Sequence, residues 1–340
     1  MKQRNKNIPN CVLFNGLGGA GQRHLRIINQ LLPGVKKIGS RSKDKTPYLN
    51  PDFSINQSHN LQDAYGISFF KSIEAAYLEN PDLAIISTPT SLHCENIIQA
   101  AERGVDVIVE KPGATNSKEA KKIVDAVKAN NIQFFISYQR RFHPLVQKLR
   151  QLINKKTLGK IMSVQVCVGS YVPDWHPYED FRDLYACNKN LGGGVLKTET
   201  HELDLLTWLF GNPIAVNATG GCRGPFELDV EDSAELLLDY LTFSAQVNLC
   251  FMQKKQERNI SIIGQEGSLK LDLIEEKLEI FLHSSNKEEI VSISIDNETL
   301  FRTQAEFFLS GLESSDFNYC DTLLANSKLV DNVLNKLGHE

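Results

Sequence analysis

No Cys-x-x-Cys pair occurs in this 340-residue chain. Its seven cysteines, Cys11, Cys94, Cys167, Cys187, Cys222, Cys250 and Cys320, are scattered without a pairing rhythm. That spacing suggests neither a zinc site nor a redox dithiol, so no metal is expected. An odd set of free thiols suits a reducing compartment, and the cytoplasm is the expected location. A positive balance is also missing. The formal net charge is -4, and clusters such as Lys36-Lys37 and Lys254-Lys255 are short, so they read as solvated faces rather than a nucleic-acid footprint. No apolar run reaches the ~18 residues of a membrane span. The apolar stretch after the polar first ten residues is broken by Asn15 and glycines, and reads as a buried strand rather than a secretory h-region. Internal repeats and low-complexity linkers are absent as well.

What is present is ordinary globular composition, 41% hydrophobic and 23% charged. The length exceeds one ordinary core and fits two domains. Over residues 11–137 short apolar runs alternate with helical patterns. Strands are expected at Cys11–Phe14, Val35–Ile38, Leu83–Ile86, Val105–Val109 and Phe134–Ser137. Helices are expected at Gln22–Leu32, Ile73–Glu79, Ser91–Arg103 and Ser117–Asn130. That rhythm means βαβ units and a parallel sheet. The text changes near residue 140. After a helix around Leu145–Ile153, Met162–Tyr171 alternates as a half-exposed strand, and Glu199–Phe210 reads as a helix stopped by Gly211 and Pro213. Residues 214–295 are mostly strand, predicting a mainly antiparallel sheet with one open face. Residues 301–340 return to helical spacing.

The chemistry-bearing motifs begin with Gly16-Leu-Gly18-Gly19-Ala20-Gly21, which follows a strand and opens a helix. Glycines permit the tight turn and let backbone approach a diphosphate, and the helix N-terminus supplies N–H groups. The pattern alone is weak, but its strand–turn–helix context is the one a dinucleotide site requires. An acid is usual at the end of the next strand to hold the ribose hydroxyls. Here Gly39-Ser40-Arg41-Ser42 stands instead. A guanidinium flanked by hydroxyls suits a 2′-phosphate, so NADP is favoured and NAD stays open. Ser87-Thr88-Pro89-Thr90 follows another strand, where its hydroxyls are placed to meet the cofactor or to cap a helix. Glu110-Lys111-Pro112 ends an apolar strand; its lysine either points into a ligand cleft, where burial and charge tune an amine for acid–base work, or is a plain surface charge at a strand end. Gly192-Gly193-Gly194 leads into a helix bearing His201, either a proton shuttle or a packed residue. Between them Tyr171-Val-Pro-Asp174-Trp175-His176-Pro-Tyr178 and Arg182 offer aromatic faces for a sugar and a cation for an anion, or an aromatic-stapled loop.

These segments, with Gln139-Arg140-Arg141-Phe142-His143-Pro144 and His201-Glu-Leu-Asp204, resemble the Gfo/Idh/MocA family, the glucose-fructose oxidoreductase and inositol dehydrogenase group. The resemblance implies an α/β Rossmann domain over 1–140. It further implies an α+β domain over 141–340, with a large, mostly antiparallel, open-faced sheet used for dimer or tetramer contacts and last helices able to pack back on the first domain. Lys111 would be the catalytic acid/base and His201 would bind or protonate the reacting hydroxyl. Cofactor contacts would come from Gly16, Gly18, Gly19, Ala20, Gly21, Arg23, His24, Ser40, Arg41, Ser42, Thr88, Pro89, His93, Glu110, Lys111 and Arg141. Substrate contacts would come from Lys111, Tyr171, Trp175, His176, Arg182, Thr198 and His201. The implied reaction is hydride transfer between NAD(P) and a secondary alcohol or ketone of a sugar, cyclitol or sugar derivative. The Trp175-His176-Pro177 stretch resembles a branch from bacterial surface-glycan clusters. One departure stands out: members often carry Asp three or four residues before the histidine, where this chain has Lys197 and Thr198, so either Lys111 and His201 suffice, or Glu199 or another group compensates, or the reaction differs. The alternatives are an NAD-dependent glycoside hydrolase of the same family, a non-catalytic cofactor-binding regulator, and a reductase for a non-sugar carbonyl.

Overall fold

A computed structural model describes residues 2–3, 8–40, 46–175, 179–313 and 317–338. The chain divides into two compact units. One comprises Met1–Ser137, His176–Glu179 and Asn297–Leu324, the other Tyr138–Trp175, Asp180–Asp296 and Ala325–Glu340.

The first unit is built on six strands: β1 (Cys11–Asn15), β2 (Lys36–Ser40), β3 (Ile67–Phe70), β4 (Leu83–Ile86), β5 (Asp106–Val109) and β6 (Phe134–Ile136). Their order is β3-β2-β1-β4-β5-β6, and every pair is parallel. Strands covered on both faces can be continuously apolar, and Val12, Leu13 and Phe14 are indeed wholly buried. Register aligns the carboxyl ends. Asn15 lies opposite both Ser40 and Ile86, Ile86 opposite Val109, and Val109 opposite Ile136. The loops that leave these ends, carrying Gly16, Ser87 and Glu110, therefore emerge side by side where doubly wound sheets bind ligands.

Helices fill the crossovers: α1 (Gly19–Leu31), α2 (His93–Ala101) and α3 (Ser117–Asn130). The last starts at the Asn116 side chain, which accepts from Glu119 N at 3.0 Å, and ends on Asn131 in the left-handed region. A further helix, Asn297–Leu309, packs Phe301 and Ala305 against Ile27 of α1. The expected second strand, Val35–Ile38, runs two residues further, because Gly39 and Ser40 pair with Phe69 and Phe70 of β3. The sequence pattern gave no sign of β3, of the helix Leu61–Tyr65, or of the hairpin Tyr48–Leu49/Ile55–Asn56. β3 reads Ile-Ser-Phe-Phe, without a continuous apolar run, and a five-residue helix or two-residue strands give no period to read.

The second unit carries an eight-stranded sheet. In chain order its strands are β7 (Ile161–Tyr171), β8 (Ala215–Gly221), β9 (Ser233–Asp239), β10 (Ser244–Cys250), β11 (Met252–Gly264), β12 (Gly267–Asp272), β13 (Lys277–Leu282) and β14 (Lys287–Ser292). The spatial order is β8-β9-β10-β7-β11-β12-β13-β14. Only β7 and β10 pair parallel; the rest are antiparallel. Period-two burial separates the faces. Val164, Val166, Val168, Leu236, Leu238, Val247 and Leu249 are buried with Leu203, Leu205 and Leu206 of α4 (Thr200–Phe210) in one core. On the other face, Gln165, Cys167, Asn217, Glu235, Leu237 and Gln246 border a hollow of about 600 Å³. Among the described residues no helix is long and apolar enough to cross a membrane.

Candidate active site

The glycine turn leaves β1 at Gly16, whose φ of 98° only glycine adopts readily. A Cβ there would stand 2.6 Å from the Ser87 carbonyl carbon, and one on Gly21 would stand 2.2 Å from Gly16 O. These two glycines are required by the fold itself. Gly18 is different: a Cβ there would meet nothing within 4 Å. It precedes α1, whose start carries no side-chain cap and no acid in its first turn. An open glycine before uncapped N–H groups fits a diphosphate and would repel nothing anionic. Ser87 Oγ, donating to Gly16 O at 2.8 Å, braces the turn from β4. Ala20 lies in the first turn of α1, and Ser40, half-buried, closes β2. Arg41 and Ser42, on which the NADP preference rests, lie outside the described residues, as does His176.

Several residues grouped with the cofactor act on the loops around it. His24, on α1, places Nε2 2.8 Å from Glu110 Oε1, and the Glu110 carboxylate also accepts from Lys111 N at 3.3 Å. Burial opposes ionisation of Glu110, but the His24 hydrogen bond and the charges of His24, Lys111 and Arg23 prevail and hold the carboxyl below its ordinary range. His93 bridges two loops, with Nδ1 2.8 Å from Pro112 O and Nε2 2.9 Å from Thr88 O. Thr88 Oγ1 accepts from Asn96 Nδ2 at 3.1 Å, and Pro89 opens the short turn Thr90–Leu92. Lys111 is half-buried at the end of β5. The Arg23 guanidinium lies 5.0 Å from the Phe53 ring and 4.6 Å from Phe301.

In the second unit Arg141 makes a buried ion pair. Its Nε and Nη2 grip Asp204 at 2.8 and 2.5 Å, and both side chains are almost wholly buried. Asn326 donates to Asp204 at 2.9 Å and to the Tyr138 hydroxyl at 3.3 Å. Tyr138 meets the His201 ring edge-on at 5.8 Å. Burial and the Asp204 charge push the Tyr138 hydroxyl well up, so it stays protonated. His201 is thus seated on α4 beside a buried polar network.

The glycine run before it has a packing reason. A Cβ at Gly193 would stand 2.3 Å from Tyr185 O, and one at Gly194, with φ 109°, would stand 2.2 Å from the Glu231 carboxylate. Glu231 Oε1 in turn accepts from Leu196 N at 3.2 Å at the start of the short helix Val195–Thr198. Thr198, near the place of the missing family aspartate, is buried, and Lys197 is half-buried. Glu199 is tied to Arg258 at 2.5 Å, and Arg258 also holds Glu202 at 2.7 Å. Burial disfavours the Arg258 charge, but these two carboxylates outweigh it and push the guanidinium up. Burial, with the adjacent Arg258 charge, lowers Arg140 to about 10.

Tyr171 meets Phe226 edge-on at 5.7 Å and lies 4.9 Å from Lys254 Nζ, while Trp175 packs on Phe251 at 5.3 Å. Arg182 is exposed and pairs with Asp180 two residues back at 3.3 Å. Gln22, Tyr138, Asp204 and Phe53 were missed as site-shaping residues. Only Asn50-Pro51-Asp52, a turn signal, could have pointed to the hairpin that carries Phe53.

Residues 11–138 match the model of an oxidoreductase family with an NAD-binding Rossmann fold, and residues 146–270 match the GFO/IDH/MocA C-terminal domain. The chain belongs to the Gfo/Idh/MocA family. Among curated members, levoglucosan dehydrogenase of Pseudarthrobacter phenanthrenivorans is 32% identical over 173 residues, 50% of this chain and 43% of that protein. The NADP(+)-dependent scyllo-inositol 2-dehydrogenase IolU of Bacillus subtilis is 26% identical over 296 residues, 83% of this chain and 84% of that one. The chain spans about half the length of the first curated relatives it matches. Among solved members, the WlbA dehydrogenase of Bordetella pertussis, in complex with NADH and UDP-GlcNAcA, superposes with a TM-score of 0.76 at 20% identity, covering 96% of each chain. At that identity the likeness concerns the fold.

Proposed function

We propose that this Gfo/Idh/MocA member is an NAD(P)-dependent oxidoreductase that interconverts a secondary alcohol and a ketone on a sugar, cyclitol or sugar derivative. The observation that carries the reading is the open Gly18 before the uncapped α1, with Glu110-Lys111 leaving the end of β5, in register with β1 through β4. When bound, the nicotinamide accepts or returns a hydride. Lys111 takes the hydroxyl proton as the alcohol is oxidised and gives it back in reduction. His201, backed by Tyr138, orients the reacting oxygen. Tyr171, Trp175, His176, Arg182 and Thr198 form the substrate contact set. Gly16 to Gly21, Ser40, Thr88 and Pro89 line the dinucleotide, with Arg23, His24, His93 and Glu110 supporting its loops.

NADP is the preferred cofactor, because Ser40-Arg41-Ser42 offers a guanidinium and hydroxyls where an NAD site offers an acid. A role in surface-glycan synthesis is proposed from the Trp175-His176-Pro177 stretch. The protein works as a homodimer or homotetramer in the cytoplasm. The open sheet face, where Leu237 is 42% exposed, is its contact surface. The test is purified protein with NADP⁺ or NAD⁺ and a panel including levoglucosan, scyllo-inositol and UDP-sugars, followed by reduced-nicotinamide absorbance. A net absorbance rise supports the reading. Substrate consumption without any net change points to the hydrolase, and tight cofactor binding without turnover to the regulator.

A further inference from the structure

Phe53 holds a backbone conformation that bulky residues avoid, with φ 65°. It sits at the end of the Asn50-Pro51-Asp52 turn, where its N donates to Asn50 O at 2.9 Å. The turn joins Tyr48–Leu49 to Ile55–Asn56. This hairpin is fastened to the glycine turn through one buried side chain. Gln22, 1% exposed, donates to Leu17 O at 2.9 Å and to Pro47 O at 2.8 Å, while its Oε1 accepts from Leu49 N at 2.8 Å. Arg26 adds a donor to Leu49 O at 3.4 Å. The fastening brings the Phe53 ring onto the first residue of α1, so close that a Cβ on Gly19 would stand 2.6 Å from it. One helical turn on, the Arg23 guanidinium lies within cation–π range of the same ring. The adjacent Gly18 faces open space. An apolar ring held at a strained φ, against an open phosphate cradle, is what an enclosing wall requires.

We propose that Phe53 is a cofactor-retaining residue: its ring walls the diphosphate cradle beside Gly19 and steadies Arg23, slowing release of the bound dinucleotide. This rests on the dinucleotide reading above and adds to it a residue outside the glycine motif. It also assigns a purpose to the hairpin.

The test is stopped-flow release of NADPH and NADH from the full chain, with the melting temperature of the unliganded protein measured alongside. Phe53→Gly relieves the left-handed backbone while deleting the ring. It should leave the melting temperature undiminished yet speed release roughly three- to tenfold, the size of one lost aromatic contact. Phe53→Tyr should release at the wild-type rate. Release from Phe53→Gly within about twofold of wild type overturns the proposal. Should Phe53→Gly melt early, Phe53→Leu decides, since it keeps bulk on Gly19 without a ring face for Arg23: faster release supports the assignment and unchanged release overturns it. A wild-type protein that binds neither dinucleotide overturns the dinucleotide reading itself, an outcome distinct from normal binding with an indifferent Phe53.

Discussion

Replacing Asp204 by alanine removes a carboxylate doubly hydrogen-bonded to a guanidinium that is 1% exposed. Arg141 would then be a buried cation facing a cavity, the situation that costs about 3–5 kcal/mol when one partner of a buried pair is deleted. The Tyr138 and Trp208 rings, 5.6 and 5.3 Å away, offset about 1 kcal/mol of that, and Asn326 loses its 2.9 Å acceptor. About 3 kcal/mol remains, and at ~2–4 °C per kcal/mol the melting temperature should fall by about 6–12 °C. The double variant Asp204→Leu/Arg141→Met removes both charges and keeps the volume, and should recover most of the loss because apolar replacement of a buried pair is often neutral. Thermal unfolding followed by circular dichroism compares wild type, Asp204→Ala and the double variant. A fall of less than about 2 °C for Asp204→Ala, or a double variant as unstable as the single, would refute the view that this pair seats α4 and His201.

Lys111→Ala should cut turnover by roughly 10²–10⁴-fold while dinucleotide affinity changes little, as expected for a lost general acid/base; wild-type turnover removes Lys111 from the mechanism. Gly18→Ala should leave the melting temperature intact and weaken dinucleotide binding, whereas Gly21→Ala, which drives a Cβ to 2.2 Å from Gly16 O, should destabilise the fold. Equal behaviour of the two, by calorimetry and fluorescence titration, would sink the distinction. Glu110 titrates below its ordinary 4.5 in the folded chain, so its ionised form stabilises the fold above pH 4.5 and that contribution fades as pH falls through the lower folded value. Melting temperature against pH should therefore separate wild type from Glu110→Gln at neutral pH and bring them together in acid. Parallel curves would contradict it. Leu237→Glu, on the open sheet face, should shift the protein toward monomer by light scattering, and an unchanged mass would move the interface elsewhere.

The long periodic elements were legible. Ser117–Asn130 carries apolar positions at 120, 123, 124 and 127 between an Asn cap and a left-handed Asn, and lies where the spacing predicts. The alternation of Met162–Tyr171 likewise marked the central strand of the second sheet to within one residue. Period and capping are local properties, so local sequence reveals them. The polar partners were not legible. Glu110 stands out in the sequence beside Lys111, but its pairing with His24, 86 residues away, is a product of register. Arg141 was expected at the cofactor, and local sequence gave no sign of its pairing with Asp204, 63 residues on. The hairpin carrying Phe53 escaped notice because its strands are two residues long and its hold on α1 runs through side chains, Gln22 and Arg26, whose hairpin partners lie 23 to 27 residues on.

The most direct test of the central claim is equilibrium binding of NADPH and NADH to the wild-type chain and to Gly18→Ala, joined to the absorbance assay on the sugar and cyclitol panel. The account predicts that the wild type binds, with NADPH preferred, that Gly18→Ala binds less well at unchanged stability, and that at least one secondary alcohol reduces the bound cofactor only when Lys111 is present. A chain that binds neither dinucleotide, or oxidises its substrate equally well without Lys111, contradicts it.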